Sequence, residues 1–156
     1  MRASVGFEIL DRHVVAGSAD ATALVREGDA SGDLSFAGLL ERVAALAAGL
    51  RAVGVEAGQD VHVRVEGPMA VEIVCACIRL GAYPGTAGDV VVREGDDGQE
   101  VVSGDDTWSL DLVRRAGAGD PAAALRSDPD GYRERLLTLV PHVVEPLLAG
   151  RPVTAG

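Results

Sequence analysis

The chain contains no lysine; all 14 of its basic residues are arginine. Chemistry that depends on a lysine ammonium is therefore closed to this polypeptide acting alone. Aromatic residues make up only 3%, against 47% hydrophobic residues in all, so the core has to be built from Val, Leu and Ala. Cysteine occurs twice, as Cys75 and Cys77. Two positions apart on a helix, their side chains point about 200° away from each other, which suits neither a disulfide nor a zinc clip. Scarce cysteine points to the cytosol. No apolar run approaches the roughly 18 residues of a membrane span. The opening MRASVGFEILDRH has no apolar signal core and reads as mature protein. Positive charge is also in deficit: the net charge is −10. Nucleic acid and anionic membrane are thus excluded as expected partners, since both are held by basic patches.

A length of 156 residues suits one domain able to bury a core without staples. It divides into residues 1–85, a softer stretch of short strands and loops over 86–131, and a helical end over 132–156. Residues 35–82 are the most ordered in pattern. Phe36, Leu39, Leu40, Val43, Leu46, Ala47, Leu50 and Val53 follow a helical period. Ser35 is placed to cap this helix, and Gly54-Val55 to end it with a left-handed glycine and an apolar seal. Val61, Val63 and Val65 then alternate with His62, Arg64 and Glu66, a strand with one dry and one wet face. Gly67-Pro68 opens a second helix whose only charges before Gly81 are Glu72 and Arg79.

Elsewhere, Phe7 to Val15 is a short helix candidate with Phe7, Leu10 and Val14 on one face, and residues 21–26 form a strand. Val90–Val92 and Val101–Val102 suit two strands around the turn EGDDGQ. A short helix follows Trp108 at about 109–116. Residues 117–131 form a helix-breaking loop or a poorly ordered linker. Tyr132–Leu148 is helical by spacing but broken by Pro141 and Pro146, and RPVT is a terminal strand. The fold class is α/β, a small layered sheet flanked by helices.

The combination Ser35-Phe36, Gly54-Val55, Gly58, Val61–Val65, Pro68 and Gly81-Ala82 resembles the opening of the acyl-adenylate-forming superfamily: AMP-dependent acyl-CoA synthetases, luciferases and peptide-synthetase adenylation domains. The likeness covers about the first half of the chain and consists of scaffold motifs. Gly38, Gln59 and Gly67 depart from the family pattern. Residues 139–154, ending PLLAGRPVT, are similar to a helix and strand that follow the phosphate loop in full-length members. The resemblance implies an abbreviated scaffold without the phosphate loop, its lysine, or the mobile C-terminal domain. The nearest substitute for that loop, Ser103-Gly104-Asp105-Asp106-Thr107, sets two carboxylates where an anion would sit and reads as a turn.

No catalytic, cofactor-binding or metal-binding residue emerges from the sequence. His13, His62 and His142 lack a nucleophile elbow beside them, and the aspartates of the loops, Asp29 and Asp33 among them, lack the spacing of a calcium loop. His62, Arg64 and Glu66 form either an ordinary solvent-facing side of a small sheet or a docking face for a partner protein or second subunit, with Trp108 and Tyr83 as anchors or as plugs at the end of the core. Trp108, Tyr132 and His142 are candidate liners of a pocket. Three functions stay open. The first, and preferred, is a non-catalytic synthetase-like protein acting through association, as a homodimer or with a partner protein. The second is one chain of a split ligase. The third is a small-molecule binder or an enzyme of unrelated chemistry.

Overall fold

The computed structural model describes residues 2–28 and 32–155. Asp29, one of the loop aspartates, lies outside the described residues, as does the middle of the turn at 27–33. Residues 5–18 are helical. Over Phe7–Asp11 and Val14–Ser18 the helix is of the π type, with hydrogen bonds to the fifth residue. That wider turn alters which side chains share a face. Val5, Ile9 and Leu10 are buried, whereas Phe7 and Val14 are only half-buried. The expected Phe7–Leu10–Val14 stripe is corrected accordingly.

The remaining elements are β1 (Thr22–Arg26), β2 (Leu34–Ser35), α1 (Phe36–Ala52), β3 (Asp60–Arg64), α2 (Pro68–Leu80), β4 (Tyr83–Gly85), β5 (Val90–Gly95), β6 (Gly98–Ser103), β7 (Asp106–Ser109), α3 (Leu110–Gly117), α4 (Tyr132–Leu139), α5 (Pro141–Leu148) and β8 (Val153–Ala155). They form two sheets, one of order β2-β1-β8 and one of order β4-β3-β5-β6-β7. β8 runs parallel to β1, and β3 lies parallel to both β4 and β5. A hairpin then adds β6 and β7 in antiparallel order. This is the α/β class, with small sheets flanked by helices.

α2 packs on β3 and β4 of the larger sheet and on β1 and β8 of the smaller one. That position explains a helix with no polar face. Every residue from Val71 to Leu80 is buried, and both charges inside it are answered. Arg42 Nε donates to Glu72 Oε1 at 2.6 Å. Arg79 donates to both carboxylate oxygens of Asp11, at 2.7 and 3.2 Å, and to the carbonyl of Ala122 at 2.6 Å. Without such partners a buried charge would cost several kcal/mol.

Local signals set the ends of α1. The Ser35 hydroxyl accepts from the Gly38 amide at 3.0 Å. At the other end, Val55 N–H donates to the Leu50 carbonyl at 3.0 Å and Gly54 N–H to Arg51 at 3.1 Å. Gly54 has φ of 107°. This is the paired closure expected of a glycine stop, with buried Val55 and Leu50 sealing it. Ser35→Ala is expected to cost about 1 kcal/mol of stability, read as a lower denaturation midpoint at unchanged slope.

The 117–131 stretch is irregular but anchored. Ala122 N–H donates to the Ala44 carbonyl at 3.0 Å, and Asp128 accepts from the Val5 amide at 3.0 Å. The 132–148 helix is two pieces that meet at Val140, ahead of Pro141. Three short strands were not anticipated. β2 has two residues, β4 is Tyr-Pro-Gly, and β7 absorbs Trp108. Such lengths leave no alternation to detect. No helix among the described residues is long and apolar enough to cross a membrane.

Cys75 and Cys77 are free and wholly buried in α2. Burial pushes the Cys77 thiol up from 9.0 to about 12, and burial raises Cys75 as well. Only the unfolded chain ionises these thiols near pH 9. Stability is therefore complete below that pH and declines as pH rises from about 9 towards 12. Alkylation of the native protein at pH 8 should be negligible and should become rapid in denaturant. Rapid native labelling would contradict the burial.

Candidate functional site

The five-stranded sheet has one face against α2 and α3. On the other face α4 covers the β4 edge, with Leu139 beside Gly85 and Arg135 over Tyr83 and bonded to Asp60, and among the described residues no helix covers β3, β5, β6 and β7. Strand periodicity assigns the residues. Val61, Val90, Val92 and Val101 are buried on the helical side. The other parity gives two straight rows across four strands. The first row is His62, Val91, Val102 and Thr107, each paired with the next in register. The second row is Arg64, Arg93, Glu100 and Ser109.

The first row is half-buried except for exposed Thr107. In the second, Arg64 and Ser109 are exposed and Arg93 and Glu100 half-buried. Arg93 Nε bonds Glu100 Oε1 at 2.9 Å, an ion pair across the β5–β6 strands. No described carboxylate pairs with Arg64. The face therefore has an aliphatic centre at Val91 and Val102 and a cationic side at Arg64 and Arg93. The acidic hairpin tip, Glu94, Asp96 and Asp97, stands at the end nearest Arg64. Between tip and sheet lies an open cleft of about 750 Å³, lined in part by Arg64, Arg93, Gln99 and Ser109.

His62 and Arg64 thus share a face with residues of three further strands that the sequence alone does not set beside them: Val91, Arg93, Val102, Glu100, Thr107 and Ser109. Part of the signal was present in the EGDDGQ turn. Closing the hairpin with Asp96-Asp97 at its tip fixes which residues of β6 stand beside those of β5, whereas the pairing of β5 with β3 leaves no local mark. Glu66 lies beyond the last residue of β3, exposed, beside the start of α2.

Of the two readings of Trp108 and Tyr83, anchor or plug, their surroundings favour the plug. Trp108 pairs with buried Val101 and packs against the core, on the helical side of the sheet. Tyr83 is 7% exposed. The Arg135 guanidinium sits 3.9 Å over its ring and the Tyr132 ring lies 4.9 Å away. α4 covers it, so it offers no exposed anchor.

The three proposed pocket liners do not come together. Tyr132 is buried and its hydroxyl donates to the Ala82 carbonyl at 2.6 Å, tying α4 to the end of α2. His142 is exposed and borders a groove of about 300 Å³ with Val65, Val71, Val143 and Val153. Neither Tyr132 nor Trp108 lines that groove. The Ser103–Thr107 segment is the tight turn between β6 and β7, where Ser103 pairs with Asp106 across Gly104-Asp105. Its exposed carboxylates leave no cradle for an anion.

No protein-family model matches this sequence, and no curated protein does either. Solved structures do. The chain is similar to a long-chain-fatty-acid-CoA ligase (FadD1) from Archaeoglobus fulgidus, at 17% identity and a TM-score of 0.60, over 81% of this chain and 32% of that one. It is also similar to the anthranilate CoA ligase AuaEII, solved in complex with anthranoyl-AMP, at 18% identity and a TM-score of 0.46, over 52% of this chain and 15% of the other. The first likeness is one of fold. The chain spans about a third of that ligase's length.

Proposed function

We propose that this chain is a synthetase-like scaffold that acts by association and not by catalysis. The observation that carries the reading is the pairing of a CoA-ligase-like fold with a sequence in which lysine is absent. Activating a carboxylate with ATP requires donors and cations converging on the transferred group. Arginine could stand in for lysine, but here half of the 14 arginines, seven, are held in ion pairs with the chain's own carboxylates. They are spread over five elements and gather in no loop. What the sheet presents to solvent instead is a surface with an aliphatic centre and a cationic side that borders the cleft, and an apolar centre with polar surroundings is the general make-up of a protein contact.

The test is affinity capture with the tagged chain in its native host, together with the mass of the purified chain in solution. A specific partner protein, or self-association, is expected. A clean monomer that captures nothing would overturn the reading. Adenylation that appears only when the captured partner is added back would replace it with that of a split ligase.

A further inference from the structure

Resting on the associative reading above, we infer that the uncovered part of this face, β3, β5, β6 and β7 beside α4, docks on the same part of a second copy. The two copies are related by a two-fold axis parallel to the strands and passing between β5 and β6. The two cross-strand rows carry this inference. Rotation about that axis exchanges β3 with β7 and β5 with β6. Val91 of each copy then meets Val102 of the other, and Arg93 meets Glu100. At the flanks, Arg64 meets Ser109 and His62 meets Thr107. Every contact is made twice, as an isologous interface requires, and no like charges face each other within the rows.

Charge selects this occupant over others. The chain carries −10 overall, so most pairings of its surface with itself repel. This face is an exception by placement, since Arg93 and Glu100 of one copy oppose Glu100 and Arg93 of the other. A uniformly acidic partner would oppose Glu100 and the hairpin tip; a uniformly basic one would oppose Arg64 and Arg93. The second row reads cation, cation, anion, hydroxyl, and its reverse is a pattern that answers it. Two such faces stack at about 10 Å with strands roughly aligned. Four strands at about 4.8 Å spacing make a patch only some 19 Å wide, which places the contact among small, transient interfaces.

The same axis has one unfavourable consequence, and it identifies the geometry. It passes beside the β5–β6 turn, so Asp96 and Asp97 of the two copies stand next to each other. Removing those charges should strengthen the dimer, and by more than removing two carboxylates far from the axis, which lowers only the general repulsion of two acidic chains. Both residues are exposed and neither has positive φ, so asparagine fits the turn.

Sedimentation equilibrium on the whole chain tests the proposal across roughly 1–200 μM, the span of a small transient interface. The wild-type protein is expected to dimerise. Val91→Glu, which points into solvent in the monomer, should stay folded by circular dichroism and weaken the dimer at least about tenfold. Asp96→Asn/Asp97→Asn should tighten it about threefold. A wild-type monomer throughout that range overturns the proposal, as does a dimer indifferent to Val91→Glu. A dimer left unchanged or weakened by the tip substitutions overturns the axis. Capture of a different partner by a monomeric chain would sink the dimer while leaving the associative function standing.

Discussion

Arg79→Met is expected to lower the thermal midpoint by roughly 6–12 °C, from a loss of about 3 kcal/mol in a chain of this length. The guanidinium is 6% exposed and bonds three oxygens on two distant segments. Methionine keeps most of the stem's packing and removes every donor. Asp11, 21% exposed, is left as a partly buried carboxylate without its cation, and the Ala122 carbonyl loses its donor. Partial exposure of Asp11 holds the loss to the lower end for a broken buried pair. Because Ala122 anchors the 117–131 stretch, that stretch should also become sensitive to protease. Asp11→Asn keeps the Ala122 contact and should cost less. A shift below about 2 °C for Arg79→Met would contradict the role assigned to this network.

The second large effect is expected at the crossing of α1 and α3. Gly49 and Gly117 face each other there. A Cβ built on Gly117 would collide with the Ala45 carbonyl, and one on Gly49 with the Val113 carbonyl. The obstacles are backbone atoms, so the helices themselves would have to separate. Both glycines lie in helices. With the crossing ignored, alanine at either position would stabilise by up to about 1 kcal/mol. The close approach reverses the sign: Gly117→Ala is expected to destabilise by about 3 kcal/mol and Gly49→Ala by a similar amount. Urea denaturation at fixed pH measures both. A gain in stability for either would show that the helices part at little cost.

The account of what the sequence announced follows from the range of each signal. α1 and α2 were legible because their caps, their stops and their apolar spacing all agree within a few residues. The break before Pro141 and the β5–β6 hairpin were legible for the same local reason. The N-terminal helix misled because hydrogen bonding to the fifth residue rotates its buried face away from Phe7 and Val14. Tyr83 stayed open between anchor and plug because its cover, Arg135 and Tyr132, arrives from α4, some fifty residues later. The wet face of β3 was visible in His62 and Arg64 alone, yet its extent was not. Strand order and register across β5, β6 and β7 set Val91, Arg93, Val102 and Glu100 beside them, and a linear pattern carries no information on which strands become neighbours.

The central claim is that a fold like that of a CoA ligase is used here without its chemistry. The direct measurement is ATP–pyrophosphate exchange by the purified chain, offered a panel of fatty, aromatic and amino acids with magnesium. The account predicts exchange no faster than in a protein-free control for every acid. Exchange above that background with any one of them, abolished by a point substitution in this chain, would contradict it.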